Sequence, residues 1–446
     1  MHKMLLVATL VAVVVGSIII GVQSSRKVVV AMNAGGDTNV LDSYMVFLPS
    51  LIRHHAPYTD DTFPLPPFAM LFVAPLTWLS RPTAQVVWAA CKPLLFVPSF
   101  LLVLSMARQA GAEIRYPALI PIIIAVFFPV LGDVQEGQMN LVMLLPLTLA
   151  LWSAQKTGPR SDLAAGLLLA MAICIKVTPL AFLPYFVWRR RWGIVAWTLG
   201  GIYLWLVLVP SIFFGWGQNL AWLTQWSNIM IRPYVFHSAI KFSNGESIPE
   251  LIARLFSHAP AWTTHDGHGQ AIQHYMNISG LSEGTVHSIG RIVLGAIGVA
   301  GVWWMRRPLT GFLSRRYVME VSCVVAFMLW ASERTWVHHY VSAIIPLMAV
   351  GIIASDPAAT RVSRKWAWAA LIGAAILIPF TSDLGRLFGH DGQRYVEGVD
   401  FVLFASLGLA AAIVFAERNG RQVVPGRDEM PIALGLISRE PVVGMT

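Results

Sequence analysis

About a dozen apolar stretches run through this chain of 446 residues, and they limit its possible folds more than any other feature. The chain is 56% hydrophobic and only 12% charged, whereas soluble domains carry roughly 25% charged residues. Many of these stretches are long enough to cross a bilayer as helices. The sequence therefore predicts an all-α polytopic membrane protein.

The basic residues account for the net charge of +9 without a nucleic-acid partner. They form short clusters between the apolar stretches, a pattern that marks the cytoplasmic loops of membrane proteins. The clusters are Arg189–Arg191, Arg306–Arg307, Arg315–Arg316 and the group of Arg361, Arg364 and Lys365. The three cysteines, Cys91, Cys174 and Cys323, lack the spacing of a disulfide framework or a metal knuckle.

Assigning the basic clusters to the cytoplasm predicts about twelve spans with both termini inside. The transmembrane domain then covers residues 1–416, with external loops at about 23–65 and 215–287, and residues 417–446 form a cytoplasmic tail. In the first loop, the amphipathic residues 41–52 are too short to span and are predicted to lie in the membrane interface. Residues 66–80 are predicted to re-enter or lie in the interface, because a full crossing would place the later basic clusters outside. The predicted spans are 4–22, 84–107, 117–131, 138–154, 162–177, 179–188, 193–213, 288–304, 318–331, 340–354, 366–380 and 399–416.

This threading brings the costly polar side chains to the non-cytoplasmic face. Ionisable residues inside membrane proteins are expensive and usually functional. A protein that only filled lipid would have no reason to gather acids, amides, bases and imidazoles at one end. The group predicts a reaction or binding site facing away from the cytoplasm, and its members are Asp37, Glu136, Gln138, Asn140, Lys176, Arg232, Arg334, His338 and His339.

Asp37 follows two glycines just beyond the first span, so the backbone there can fold back tightly toward the membrane. We interpret it as a general base or a substrate-orienting carboxylate. The alternative is a solvated loop acid or the N-cap of the helix that follows.

Two further groups of polar residues flank the spans at this face. Glu136, Gln138 and Asn140 surround a glycine in a tight turn and could bind sugar hydroxyls or a phosphate, although an exposed turn is the alternative. Lys176 lies within the apolar stretch 166–185, where an ammonium usually pairs with an anion or lines a wet cavity. A phosphate is one such anion, and a structural pair with Glu136 is the competing interpretation.

The segment 333–340 combines an acid, an arginine and two histidines between apolar stretches. Neighbouring histidines point in different directions on a helix, so His338 and His339 are poor joint metal ligands. One of them, or Arg334, could meet a phosphate. His265 and His268 with Asp266 match no metal motif, and we expect neither a metal nor another cofactor.

Seven short motifs follow one another between about residues 35 and 350. They are Gly36-Asp37 with Tyr44, Pro57-Tyr58, Leu65-Pro66-Pro67-Phe68, Gly137-Gln138-Met139-Asn140, Ala165-Gly166 with Lys176-Val177-Thr178-Pro179, Arg191-Trp192, and Trp336-Val337-His338-His339-Tyr340. Their order resembles glycosyltransferase family 87, which belongs to the multi-spanning GT-C glycosyltransferases. The chain departs from that pattern at Leu65, where a tyrosine is common.

The resemblance implies a GT-C fold with a long first external loop, and a sugar donor carried on a polyprenyl phosphate, with mannose favoured. Asp37 would be the general base that activates a hydroxyl of a glycolipid or glycan acceptor for inverting transfer. The donor phosphate would meet Lys176, Arg334, His338 and His339, and the sugar or acceptor would meet Glu136, Gln138, Asn140 and Tyr44. The enzyme would lie in a bacterial cytoplasmic membrane with its site on the periplasmic or extracellular side.

Three other functions compete with this interpretation. A ligase that transfers whole glycans would also use a polyprenyl donor at the outer face. A transporter or flippase would carry intramembrane charges too, but typically near the midplane and with repeat symmetry, which we do not detect in the sequence. A relative without activity would only bind the lipid-linked sugar.

Overall fold

The fold is helical, as seen in a computed structural model that describes residues 2–34, 39–54, 58, 63–233, 245–265, 270–381, 392, 395–396 and 398–419. The helices are α1 His2–Ala34, α2 Val40–His54, α3 Pro67–Val73, α4 Arg81–Gln109, α5 Tyr116–Gln135, α6 Asn140–Ala154, α7 Pro159–Ile175, α8 Phe182–Trp188, α9 Trp192–Tyr203, α10 Val209–Phe214, α11 Trp216–Met230, α12 Ile248–Phe256, α13 Glu283–Trp304, α14 Arg315–Ala331, α15 Ile344–Ser355, α16 Arg361–Thr381 and α17 Phe401–Asn419. Strands β1 Trp262–His265 and β2 Ala271–His274 form an antiparallel ribbon. Three 3-10 turns, Ala74–Trp78, Thr178–Ala181 and Val337–Ala343, join helices, and a π-helical turn, Leu204–Leu208, joins α9 to α10.

Six segments of the described chain are long and apolar enough to cross a membrane. They are Val7–Val30, Arg81–Gln109, Tyr116–Gln135, Trp192–Phe214, Glu283–Trp304 and Val337–Ser355. Three shorter apolar helices, Pro67–Trp78, Asn140–Ala154 and Phe401–Glu417, accompany them. The prediction of a helical membrane protein is confirmed, while the count of twelve spans stays a prediction.

The segment predicted to be the first external loop, at about residues 23–65, contains more helix than the sequence predicted. Helix α1 continues to Ala34, although the first span was expected to end near residue 22. The extension follows from the sequence, because residues 22–34 contain neither the glycine nor the proline that would end a helix. Helix α2 covers the predicted interfacial residues 41–52, and its buried face includes Leu41, Leu48 and Leu51.

The helices that carry the predicted polar residues run antiparallel and define two ends of the bundle. We call the end that carries the predicted polar residues the site end, and there α5, α7 and α14 finish and α6 begins. We call the opposite end, which carries the arginine clusters, the basic end, and there α6 and α15 finish and α5, α7, α14 and α16 begin. Arg191 joins two elements there by donating from Nη1 to the Ala154 carbonyl over 2.8 Å. With 20 residues, α5 separates the two ends by about 30 Å, which is the thickness of the bilayer's hydrocarbon.

Helix α2 is held against the turn between α5 and α6. The Val40 N–H donates to the Glu136 carbonyl over 3.1 Å, and Asn39 Nδ2 donates to the Gln135 carbonyl over 2.9 Å. The turn approaches α2 so closely that a Cβ on Gly137 would lie 2.5 Å from Leu41 Cβ. Gly137 also has a φ of 69°, which residues with a side chain rarely adopt, so both the packing and the backbone conformation require glycine here.

We expect Gly137→Ala to destabilise the protein more than Gly111→Ala, although both glycines have a positive φ. Alanine costs about 1–2 kcal/mol of backbone strain at either position. At Gly111 the new methyl group would meet nothing within 4 Å, whereas at Gly137 it would collide with Leu41. Unfolding in SDS-containing mixed micelles should show an extra loss of about 1–3 kcal/mol for Gly137→Ala. Equal losses of unfolding free energy for the two variants would contradict the close approach of α2 to Gly137.

Candidate functional site

A cavity of about 610 Å³ lies at the site end of the bundle. Its lining comes from α2, the segment before α3, the turns after α5 and α7, the end of α11, and the connection between α14 and α15. One part of the wall is apolar and includes Leu65, Met230 and Ile231, and another part is polar. Five of the predicted site residues line this one cavity, and they are Tyr44, Gln138, Lys176, Arg334 and His339.

Lys176 brings a cation to the cavity from the end of α7. It follows the last residue of that helix, where the helix dipole favours positive charge. Its Nζ donates to Asn140 Oδ1 over 2.6 Å, and not to Glu136, the partner that the sequence had offered as an alternative. Because an amide carries no charge, this contact orients the ammonium without neutralising it. The cavity is therefore suited to bind an anion beside Lys176.

Asn140 is in turn fixed by a buried ion pair. Asp133 Oδ1 accepts from the backbone N–H of Asn140 over 3.1 Å and from its Nδ2 over 2.9 Å. The other carboxylate oxygen of Asp133 lies 2.7 Å from Lys92 Nζ, and both side chains are essentially inaccessible to solvent. The chain of contacts from Lys92 through Asp133 and Asn140 to Lys176 thus links α4, α5, α6 and the end of α7. We call these four residues the polar relay.

The sequence contained a signal for the first half of this relay. Lys92 lies within the apolar helix α4, and Asp133 lies near the end of the apolar helix α5. Lys176 was a candidate because ionisable residues in apolar spans are usually paired or functional. The same rule applies to Lys92 and Asp133. What the sequence did not show was their pairing across two helices.

Arg334 is the second cation of the cavity and comes from the connection between α14 and α15. Its Nη1 lies 3.6 Å from Met230 Sδ, and its guanidinium carbon lies 6.0 Å from the centroid of the Trp336 ring. Trp336 also lines the cavity. An arginine held against an aromatic face presents its N–H donors in a fixed plane, which suits phosphate or carboxylate recognition.

The two neighbouring histidines lie in different surroundings. His339 lines the cavity, and its Nδ1 lies 2.8 Å from the Trp336 backbone nitrogen and 3.2 Å from the Trp336 carbonyl oxygen. The shorter contact favours the neutral tautomer in which Nδ1 accepts and Nε2 carries the proton. His338 does not line the cavity; its Cβ faces Gly132 on α5. Its Nε2 is buried without a hydrogen-bond partner among the described residues. A direct contact between His338 and a phosphate stays a prediction.

The remaining predicted residues divide between the cavity and its support. Tyr44 lines the cavity, and its buried hydroxyl has no hydrogen-bond partner among the described residues. Burial raises the pKa of Tyr44 well above its ordinary value, so the phenol keeps its proton and can donate. Gln138 lines the cavity too, whereas Glu136 has an exposed side chain outside the lining. Asp37 lies outside the described residues, as do Asp266 and His268.

Asn39, two positions after Asp37 in the sequence, belongs to a fixed part of the site end. Its amide exchanges hydrogen bonds with the Gln85 side chain on α4, over 3.0 Å and 2.8 Å. Asp42, one turn further along α2, pairs with Arg81 at 2.5 Å. These contacts anchor the start of α2 to both α4 and the turn after α5.

Glu333 adds a titratable acid to the cavity wall. Its Oε1 lies 3.0 Å from His287 Nε2. Burial raises the pKa of Glu333 to about 7, and the nearby Arg291 guanidinium offsets part of that effect. Glu333 has no predicted role of its own in the sequence, because its partners on α13 are more than 40 positions away in the chain.

Comparisons with known proteins agree on one family. A sequence profile of glycosyltransferase family 87 matches residues 63–332. A polyprenol-phosphate-mannose-dependent alpha-(1-2)-phosphatidylinositol mannoside mannosyltransferase of Mycobacterium tuberculosis is 26% identical over 309 residues, which cover 65% of this chain and 62% of that protein. The protein of the same name from Mycolicibacterium smegmatis is 25% identical over 333 residues, covering 70% and 67%. The chain thus spans less than two thirds of the tuberculosis protein's length. No solved structure matches the chain.

We expect Asp133→Asn to destabilise the protein strongly, because it removes the charge that balances the buried Lys92 ammonium. Breaking one partner of a buried ion pair typically costs about 3–5 kcal/mol. Asp356→Asn is a matched control, since Asp356 pairs with the half-exposed Arg315 at 2.6 Å near the surface. That change should cost at most about 1 kcal/mol. Similar unfolding free energies for both variants would contradict the relay.

The raised pKa of Glu333 predicts a pH-dependent cost to stability. An unfolded glutamate ionises near pH 4.5, whereas the folded protein resists ionisation of Glu333 until about pH 7. Wild-type stability should therefore fall between these pH values relative to Glu333→Gln, whose side chain stays neutral. The difference in apparent melting temperature should grow up to about pH 7 and then level off. The exposed Glu113→Gln serves as a control and should show no such trend. If the difference in apparent melting temperature between wild type and Glu333→Gln did not change with pH, the raised pKa of Glu333 would be refuted.

Proposed function

Because the chain belongs to glycosyltransferase family 87, we propose that it transfers a sugar from a polyprenyl phosphate to a hydroxyl group of an acceptor lipid. The names of the two mycobacterial relatives support mannose as the sugar and a phosphatidylinositol mannoside as the acceptor class. The observation that carries the proposal is the pair of cations, Lys176 and Arg334, in one cavity with an apolar wall. Such a cavity suits a phosphate that carries a hydrocarbon tail.

The donor phosphate would lie between Lys176 and Arg334. Negative charge grows on the phosphate oxygen as its bond to the anomeric carbon breaks, and fixed cations stabilise that charge more in the transition state than in the ground state. The first isoprenoid units would lie along Leu65, Met230 and Ile231. His339 would donate a further hydrogen bond from Nε2.

The acceptor hydroxyl would be activated by Asp37. In this mechanism its oxygen attacks the anomeric carbon from the face opposite the phosphate, and its proton passes to the Asp37 carboxylate. The bonding electrons leave with the polyprenyl phosphate, so the configuration at the anomeric carbon inverts. The proposal for Asp37 rests on its position before Asn39, which is anchored to the site end, and on the family resemblance.

Tyr44 and Gln138 would orient the reacting sugar or the acceptor. The Tyr44 hydroxyl is buried at the cavity wall with no hydrogen-bond partner among the described residues, and a sugar hydroxyl would satisfy it. Asn140 acts indirectly in this proposal, by holding Lys176. Glu136 contributes its backbone carbonyl to the docking of α2.

The cavity would face the periplasmic or extracellular side of a bacterial cytoplasmic membrane. The support is the charge rule, since the arginine-rich loops gather at the opposite end of α5, α6 and α7. In that orientation both the lipid donor and a lipid acceptor reach the site from the outer leaflet, and no nucleotide sugar is needed.

Transfer of mannose from synthetic polyprenyl phosphate mannose to phosphatidylinositol mannosides tests the function. We expect product from the wild type, a loss of at least 100-fold in kcat/KM for Asp37→Asn, and a loss of about 100- to 1000-fold for Lys176→Met. Lys156→Met is the matched control, because Lys156 lies at the basic end over the Trp152 ring. It should retain wild-type activity.

Each result separates the competing functions. Equal product from wild type and Asp37→Asn would remove Asp37 as the base and leave the enzyme class intact. An unchanged kcat/KM for Lys176→Met would refute the phosphate site. Absence of transfer by folded protein that moves the donor lipid between leaflets of proteoliposomes would favour a flippase.

A further inference from the structure

Glu333 is an acid in the wall of a cavity whose other charged side chains are cations. Among the described residues that line the candidate site, Glu333 is the only acid, and it lies beside Arg334 in the chain and across the cavity lining from Lys176. Its side chain is 23% exposed, so it is neither a surface group nor sealed from the cavity. The steps of the proposed transfer give this carboxyl group no part.

The carboxyl group of Glu333 is held at one oxygen and lacks a partner at the other. Oε1 lies 3.0 Å from Nε2 of His287 on α13, and the His287 side chain is only 3% exposed. Oε2 is buried without a hydrogen-bond partner among the described residues. A buried acceptor that lacks a donor is destabilising, and the terminal torsion of a glutamate is broad enough for the group to turn toward one. A donor that enters the cavity would therefore find an acceptor in Glu333.

The charge of Glu333 indicates which part of a ligand it meets. An ionised carboxyl group only accepts hydrogen bonds, and it repels a phosphate, which would lie instead beside Lys176 and Arg334. Those two cations and the Tyr44 hydroxyl make the cavity wall rich in donors, and Glu333 is its one charged acceptor among the described residues. The hydroxyl groups of a sugar are neutral and can donate. They are the ligand groups that match a carboxylate in this wall.

We propose that Glu333 binds a hydroxyl group of a lipid-linked sugar and thereby separates the sugar end of the ligand from its phosphate end. The inference rests on the proposed function for the identity of the ligand. The hydroxyl group belongs to the mannose of the donor or to the sugar headgroup of the acceptor, since both offer the same chemistry. His287 is a positioning residue, because it holds Oε1 of Glu333 and does not itself line the cavity.

Equilibrium binding of lipids to the full-length protein in detergent tests the proposal without requiring sugar transfer. The probes are polyprenyl phosphate mannose, a phosphatidylinositol mannoside and sugar-free polyprenyl phosphate, measured at about pH 8, where Glu333, with its pKa of about 7, is mostly ionised. We expect Glu333→Gln to weaken binding of at least one sugar-bearing lipid by about tenfold or more, because a hydrogen bond to a charged acceptor is lost. Binding of polyprenyl phosphate should stay unchanged or become tighter, because a repelling charge is removed.

Glu283→Gln is the matched control for the loss of one negative charge. Glu283 is an exposed acid in the first turn of α13, one turn before His287, and it does not line the cavity. Its substitution should leave all three affinities unchanged. Monodeoxy analogues of the weakened lipid give a second readout. One of them should bind the wild type as weakly as the parent lipid binds Glu333→Gln, and Glu333→Gln should weaken that analogue no further.

The outcomes separate sugar recognition from effects on the phosphate or on the fold. A loss for polyprenyl phosphate mannose assigns Glu333 to the donor sugar, and a loss for the phosphatidylinositol mannoside assigns it to the acceptor. Unchanged binding of both lipids, an equal loss for sugar-free polyprenyl phosphate, or an equal loss in Glu283→Gln would overturn the proposal. A melting temperature of Glu333→Gln no lower than that of the wild type excludes misfolding.

Failure of the proposed function would look different. Sugar-dependent binding that requires Glu333, together with no mannose transfer by the same wild-type protein, would refute the transferase and leave the contact between Glu333 and the sugar intact. Mannose transfer with affinities that Glu333→Gln does not change would do the reverse.

Discussion

The buried ion pair between Lys92 and Asp133 is the interaction on which the site depends. Two unmatched charges at this depth would each be very costly, so the pair fixes how α4 meets α5. Asp133 uses its second oxygen to hold Asn140, and Asn140 holds Lys176. Four separate elements are thereby brought into register by charge and hydrogen bonding, where apolar packing alone would permit sliding. As a result, the Lys176 ammonium faces the cavity, and its contact partner, Asn140, is neutral.

The rest of the cavity is built around this fixed cation. Gly137 allows α2 to approach the turn after α5, which brings Tyr44 to the cavity wall. The connection between α14 and α15 supplies Arg334 and His339 from the other side. The same antiparallel helices carry basic residues at their opposite ends. One bundle thus presents a cavity with two cationic side chains at one end and clusters of basic residues at the other, about 30 Å apart.

The sequence reveals the side chains that violate local rules, but it does not reveal which distant side chains pair with one another. Lys176 was predicted because an ammonium in an apolar stretch needs a partner, yet the partner was Asn140 rather than Glu136. Lys92 and Asp133 obey the same rule, but their pairing depends on helix packing that one sequence does not reveal. The different positions of His338 and His339 followed from their adjacency. The extension of α1 to Ala34 was missed because hydrophobicity marks where a span leaves the membrane and does not mark where a helix ends.

The most direct test of the account is an experimental structure with a non-cleavable phosphonate analogue of polyprenyl phosphate mannose bound. We expect phosphonate oxygens within hydrogen-bond distance of Lys176 Nζ and the Arg334 guanidinium. We also expect the lipid chain to lie along Met230 and Ile231, and the anomeric carbon to face Asp37. A phosphonate bound away from both cations, or a sugar with Asp37 out of reach, would contradict the assignment of this cavity as the transfer site.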